Sequence, residues 1–176
     1  MTYVMRDNTV TGLETSYVVA EALQIVPAQR TDAATIVALF GALHSYNAAL
    51  DAHFALSDDW ETLLRREFRA TWQQGDRLWL LVKQAKRAVG LLIAAIHTDS
   101  PMFRHRRWVE VAARYVAAGY RRMGIAQRLL NRAYQWAAAQ ELSRVQLYVT
   151  ASNEHAQSVS IDQGFIVTPA IMRKSL

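Results

Sequence analysis

A chain of 176 residues, 52% hydrophobic and 20% charged, carries enough apolar side chain for one packed domain and too little net charge for a disordered one. It holds no cysteine, which excludes disulfides, thiolate metal sites and a cysteine nucleophile. The 20 Lys and Arg against 15 Asp and Glu give a net charge of +5, a bias that suits nucleic-acid surfaces and pockets for phosphorylated ligands alike.

Residues 1–21 mix Thr, Asn, Asp and Gly with isolated Val and Tyr and show no sustained period, as a mobile tail or an extra edge strand would. Nothing there has a signal peptide's order of basic, apolar and small residues. The longest apolar run, Ala88 to Ile96, falls well short of the roughly 20 residues that span a bilayer. A cytoplasmic chain with no membrane partner is expected. Leu23 to Val26 reads as a short strand before Pro27. Asp32 is the expected N-cap of a helix whose apolar residues Ile36, Leu39, Phe40, Leu43 and Tyr46 recur at helical spacing. Asp58-Asp59-Trp60-Glu61 supplies a capping-box pattern for a second helix, with Leu63, Leu64, Phe68 and Trp72 on one stripe. Gly75 stands where a left-handed C-terminal cap is expected. Residues 77–83 and 88–96 bracket the polar turn Gln84-Ala85-Lys86-Arg87 and read as a strand hairpin.

Ser100-Pro101 breaks the pattern, and the basic loop Arg104-His105-Arg106-Arg107 leads into a strand from Trp108 to Val116. A glycine-bearing turn, 119–124, precedes a helix over 125–140 with the stripe Ile125, Leu129, Leu130, Ala133, Tyr134 and Ala137. A strand over 145–149, a helix over 154–162 and one or two closing strands over 165–174 complete the chain. This alternation predicts a layered α/β domain with helices on both faces of a central sheet, and the hairpin makes that sheet mixed. His44, His53, His97, His105 and His155 lack metal-ligand spacing, so no metal is expected.

The informative stretch is the strand–turn–helix from Val116 to Ala126. A helix N-terminus presents unpaired N–H groups and a partial positive charge, a seat for an anion. Gly124 lets backbone approach a bulky anion, Ala126 keeps the second turn clear, and Arg121 and Arg122 add charge at the mouth. A plain turn with a solvated basic pair accounts for the same residues. No Gly-Lys-Ser/Thr follows, so this is not a P-loop. The third glycine of a dinucleotide fingerprint is also missing, and no acidic residue stands about 20 positions on at a second strand's end.

These residues resemble the GCN5-related N-acetyltransferase (GNAT) superfamily, whose signature Arg/Gln-x-x-Gly-x-Gly/Ala is matched by Arg121-Arg122-Met123-Gly124-Ile125-Ala126. The family's downstream pattern is matched in spacing by Asn153, Ala156, Gly164 and Phe165. The resemblance covers roughly residues 22–176 in element order and implies a GNAT-like fold over that range behind an N-terminal extension, 1–21. It implies acetyl-CoA as cosubstrate, its pyrophosphate on the backbone of Arg122, Met123, Gly124, Ile125 and Ala126, with Arg121 and Asn153 as further cofactor-binding residues. It also implies a pantetheine arm running along Tyr115 and Val116, with the Val116 N–H polarising the thioester carbonyl. Three departures stand out: Ser160 in place of a tyrosine that usually serves as proton donor, Ala118 in place of a proline, and Arg122-Met123 in place of Gly-Lys or Gly-Arg.

Glu110 lies on the strand leading into this turn, where some superfamily members carry a glutamate base. A carboxylate on an exposed face, or paired with Arg114 or Arg107, accounts for it equally. Ser160 is the second catalytic residue expected. His44, Asp51 and His53 fall where the resemblance puts the acceptor wall, although solvated surface residues explain them singly. Trp60, Trp72, Trp79 and Trp136 fit core spacing, and His155 fits a surface. The run Arg104 to Arg107 suits the cofactor's 3′-phosphate, an acidic acceptor, nucleic acid or plain solvation. The expected activity is direct transfer of acetyl to a primary amine in a ternary complex, because no cysteine can carry the acyl group. The alternative is a non-catalytic acyl-CoA sensor or scaffold on the same fold. A nucleic-acid domain is disfavoured by the absence of its motifs. The acceptor stays open among small amines, amino acids, polyamines, aminoglycosides and peptide amines, and the superfamily's frequent dimers imply a homodimer.

Overall fold

The computed structural model describes residues 22–168. Five strands, β1 (Gln24–Pro27), β2 (Arg77–Gln84), β3 (Arg87–Thr98), β4 (Arg107–Val116) and β5 (Val145–Leu147), form one sheet in chain order. Four helices accompany them: α1 (Ala33–Leu50), α2 (Trp60–Thr71), α3 (Ile125–Ala139) and α4 (Glu154–Asp162). The pairs β1–β2, β2–β3 and β3–β4 are antiparallel, and β4–β5 is parallel across α3. The sheet is therefore mixed, as the alternation predicts.

Two apolar layers hold helices to its faces. Leu80, Val82, Leu92, Val109 and Val111 pack against Ile125, Leu129, Leu130, Ala133 and Ala137 of α3. Leu81, Leu91, Ile93 and Ala113 pack against Ile36 and Val37 of α1 and Leu64 and Phe68 of α2. Adjacent residues of one strand thus feed opposite cores, which is why β2 and β3 read as nearly continuous apolar runs. Burying each such Leu or Ile contributes about 1.5–3 kcal/mol. At Gly41 a Cβ would come within 2.9 Å of the Trp60 ring, so only glycine lets α1 and α2 approach this closely, with Phe40 stacked on Trp60 at 5.9 Å. Residues 30–50, with a mean hydropathy of 1.3, are long and apolar enough to cross a bilayer. Much of that apolarity is alanine, and the helix docks on the sheet through Ile36, Val37, Leu39, Phe40 and Leu43.

Several boundaries differ from the sequence reading. The Asp32 carboxylate does not cap α1; it accepts the Gln29 N–H at 2.8 Å and pairs with Lys83 Nζ at 2.8 Å, tying the helix start to β2. The Asp59 side chain does not cap α2 either, because it accepts the Ser57 hydroxyl at 2.9 Å. Gly75 is no left-handed cap: α2 ends in right-handed backbone at Trp72, and the glycines with positive φ among the described residues are Gly124 and Gly164. The last strand stops at Leu147 rather than 149, because β4 no longer pairs with it beyond that point. Residues 165–168 form no strand. The rest of that prediction, and the extension 1–21, lie outside the described residues.

One irregularity positions everything that follows. Ile93 pairs with Ala113, but Ala94 pairs with Val111, so Ala112 is an extra residue in β4, a β-bulge. Before it, Val109 and Val111 face α3. After it, Ala113 and Tyr115 face α1 and α2.

Candidate active site

Strands β4 and β5 pair only at Val109 with Val145, Glu110 with Gln146 and Val111 with Leu147. From Ala112 to Val116, β4 continues with no partner on that side among the described residues. The parallel pair therefore splays, leaving a gap beside an open strand edge. Ala117 N–H donates back to Val89 O at 2.9 Å, so by strand alternation the Val116 amide faces the gap. The Val116 carbonyl accepts Arg121 Nε at 3.1 Å, and the same guanidinium lies 6.0 Å from the Tyr46 ring centroid of α1.

At the mouth of the gap stands the turn into α3. Arg122 and Gly124 both have positive φ, 63° and 70°. Gly124 adopts this conformation at no steric cost, whereas a left-handed arginine costs of order 1–3 kcal/mol and persists only where its surroundings demand it. Two left-handed residues this close curl the backbone into a concavity. Among the described residues, the N–H groups from Arg122 through Gln127 donate to no protein acceptor, and the first helical bond runs from Arg128 N–H to Gly124 O. Such a run of free amides at the positive end of α3 is a seat for a polyanion.

Glu110 lies on the α1/α2 face, opposite in orientation to Val109 and Val111. It is half-buried and, among the described residues, makes no hydrogen bond or ion pair. Neither suggested partner reaches it. Arg107 is exposed. Arg114 is turned by the bulge to the α3 side, where its Nη1 donates to Gln163 Oε1 at 2.8 Å and its Nη2 to Ser160 Oγ at 3.4 Å. Burial pushes the Arg114 guanidinium below the ordinary arginine value, with the Tyr134 phenol beside it opposing the shift; the same burial pushes Tyr134 up. Ser160 is 4% exposed, and its hydroxyl donates to Ala156 O at 2.8 Å. That proton is engaged within α4. Asn153 caps α4, its Oδ1 accepting the Ala156 N–H at 3.1 Å, while its Nδ2 bonds to no described residue.

The end of α1 closes over the splay, with Tyr46 near Arg121 and the Leu50 carbonyl accepting Ser152 Oγ at 3.2 Å. His44 stacks on Phe40 at 4.3 Å with both ring nitrogens buried and unpartnered. Burial pushes its imidazole below the ordinary value, and the neighbouring Phe54 backbone opposes this only in part. Asp51 accepts from the His53 backbone and ring, each at 3.0 Å, which spends this pair on a local turn. The basic loop joins the opposite end of β4 from the amide turn, a span of about 30 Å at 3.3 Å per residue. Sequence reasoning offered Arg114 as one of two alternative partners for Glu110 and missed its bond to α4, since a bulge leaves no mark in a strand of period two.

A sheet that splays at its parallel pair, with an amide-lined turn heading the crossover helix, is the architecture of acyl-CoA-dependent acetyltransferases of the GNAT class. The model of the acetyltransferase (GNAT) family matches residues 44–165, and the chain belongs to that family. Among solved structures, the BH1408 protein of Bacillus halodurans superimposes with a TM-score of 0.76 at 18% identity, covering 87% of this chain and 99% of that one. The aminoglycoside 6′-N-acetyltransferase AAC(6′)-Ih of Acinetobacter baumannii gives 0.68 at 20% identity, covering 88% and 98%. The aminoglycoside N-acetyltransferase AAC(6′)-Iy, solved with CoA, gives 0.70 at 15% identity, covering 89% and 95%. At these identities the likeness is one of fold. No curated protein sequence matches the chain.

Proposed function

We propose that the protein transfers the acetyl group of acetyl-CoA to a primary amine, directly within a ternary complex. The observation that carries this reading is the run of unpartnered amides from Arg122 to Gln127 at the mouth of the β4–β5 gap. Those amides take the pyrophosphate. The pantetheine arm lies along the open edge of β4 from Val116 inward, as an added strand, after displacing Arg121 from the Val116 carbonyl. Its thioester stops where β5 closes the gap at Val111 and Leu147. The family membership and the CoA complex of AAC(6′)-Iy support the same cosubstrate.

There the amine nitrogen attacks the thioester carbonyl, its C–N bond forms, the C–S bond breaks and the sulfur departs with its electron pair. Glu110 takes the amine proton, directly or through water; its carboxylate is unpaired and sits beside the closing point of the gap. Val116, five residues up β4 from that closing point, holds the pantetheine arm through its N–H, too far along the strand to meet the thioester carbonyl there. Ser160, whose proton is engaged on Ala156, contributes no proton in this scheme. The buried guanidinium of Arg114, on the α4 side, favours the thiolate electrostatically until solvent protonates it. The test is CoA release with acetyl-CoA and an amine panel, for wild type and Gly124→Glu. Amine-dependent release lost in the variant supports the reading. Tight acetyl-CoA binding without release for any amine supports a sensor instead.

A further inference from the structure

On the Glu110 face of the sheet, beyond the point where the gap closes, lies a cleft of about 520 Å³. Trp108 and Gln146 line it. Trp108 is two residues from Glu110 on β4, and Gln146 is Glu110's partner in β5, so by alternation all three side chains share one face. Glu110 lies just beyond the lining residues, about 7 Å along β4 from Trp108, so a ligand that extends that far out of the cleft approaches it from the side opposite the incoming cosubstrate.

The chemistry of the walls is distinctive. Arg144 lies over the Trp108 ring at 4.1 Å and donates through Nη2 to the His105 carbonyl at 3.0 Å, which pins the β3–β4 loop at the cleft. Arg104 adds positive charge from that loop, beside the His105 ring. The acid among the lining residues is Asp99, whose Oδ1 already accepts the Ser100 N–H at 2.8 Å. Trp108 is 7% exposed, and its indole N–H is buried with no acceptor. Phe103 and Tyr148 line the same cleft at 57% and 60% exposure, presenting aromatic faces while the Tyr148 hydroxyl accepts Gln146 Nε2 at 3.1 Å. Two guanidinium groups, Arg104 and Arg144, stand against one carboxylate, Asp99, with aromatic faces between them. A polycation would meet Arg104 and Arg144 as like charges, a mismatch that rejects it. A carboxylate would meet planar guanidinium donors suited to it.

Resting on the acyl-transfer reading above, we propose that the acceptor is an amine that also carries a carboxylate and an apolar, preferably aromatic, side group: amino-acid-like rather than aminoglycoside-like. The carboxylate is held by Arg104 and Arg144, the apolar group lies on Phe103 and Tyr148, and the amine points to Glu110.

The experiment compares kcat/KM for aromatic and aliphatic α-amino acids with their decarboxylated amines and with an aminoglycoside, in wild type, Arg104→Ser and Arg144→Gln. The amino acids should exceed their decarboxylated partners by roughly tenfold or more, the scale of a charge-assisted hydrogen bond. Each variant should shrink that ratio toward one. Arg104→Ser keeps the test valid if Arg144→Gln loosens the loop. Preference for the decarboxylated amines or the aminoglycoside, or a ratio untouched in both variants, overturns the inference while leaving acyl transfer standing. If no amine is acetylated, thermal shifts decide. Stabilisation by the amino acids that is lost in Arg104→Ser upholds the cleft and rejects acyl transfer, and no stabilisation rejects both.

Discussion

Glu110 and Arg114, four residues apart on one strand, face opposite sides of the sheet. In a regular strand such a pair shares a face and could neutralise each other. The extra residue at Ala112 turns Arg114 toward Ser160 and Gln163 on α4 and leaves Glu110 unpaired on the α1/α2 face. One bulge thus sets a carboxylate and a guanidinium on either side of the gap between β4 and β5.

Replacing Glu110 by Gln keeps shape and removes the base. Turnover should fall by roughly 10²-fold or more, the range for losing a general base, while CoA affinity holds because the amide turn is untouched. Steady-state rates across pH with saturating acceptor check this. A normal rate and pH profile would remove Glu110 from the chemistry.

Neutralising Arg114 to Met should slow turnover and leave the KM for acetyl-CoA nearly unchanged, since the guanidinium acts on the departing sulfur and not on the phosphates. Ser160→Ala should cost far less. It loses one bond to Ala156 and one to Arg114, each contributing about 0.5–1.5 kcal/mol to stability. Parallel kinetics and melting curves separate the two. A Ser160→Ala rate loss as large as that of Glu110→Gln would make the hydroxyl a participant.

Much of this arrangement was legible in the sequence. Helical spacing located α1, α2 and α3, and the Arg121–Ala126 turn read as a candidate anion seat beside the alternative of a plain turn with a solvated basic pair. The bulge was not legible: period-two reasoning carries no term for an inserted residue, so Arg114 stood as one of the alternative partners for Glu110. Nor was the engaged Ser160 hydroxyl, since bonding back to a carbonyl four residues earlier is a choice made by the folded helix. Asp32 does stand at the N-cap position of α1, but its carboxylate is taken by the Gln29 N–H and by Lys83, distant in sequence, and not by the first amides of the helix.

His44 gives a pH dependence of stability. Its folded-state value lies below the ordinary 6.5, so between those two values the unfolded chain binds a proton that the folded chain does not. Stability is complete above the unfolded value and falls as pH drops below it, down to the folded value. Urea unfolding from pH 7 to 5 should show this decline, and His44→Phe should flatten it. A decline of equal slope in the variant would assign it to another group.

The central claim is that the amides from Arg122 to Gln127 seat a cosubstrate whose acyl group is then transferred. The most direct measurement is the melting temperature of wild type and Gly124→Glu with and without CoA, taken together with amine-dependent CoA release from acetyl-CoA. The added carboxylate stands at a backbone position with φ of 70° and against the anion seat. The account predicts a clear CoA-induced rise and amine-dependent release in wild type, with both lost in a Gly124→Glu protein that still folds. A folded variant that keeps the full shift and the full rate would contradict it.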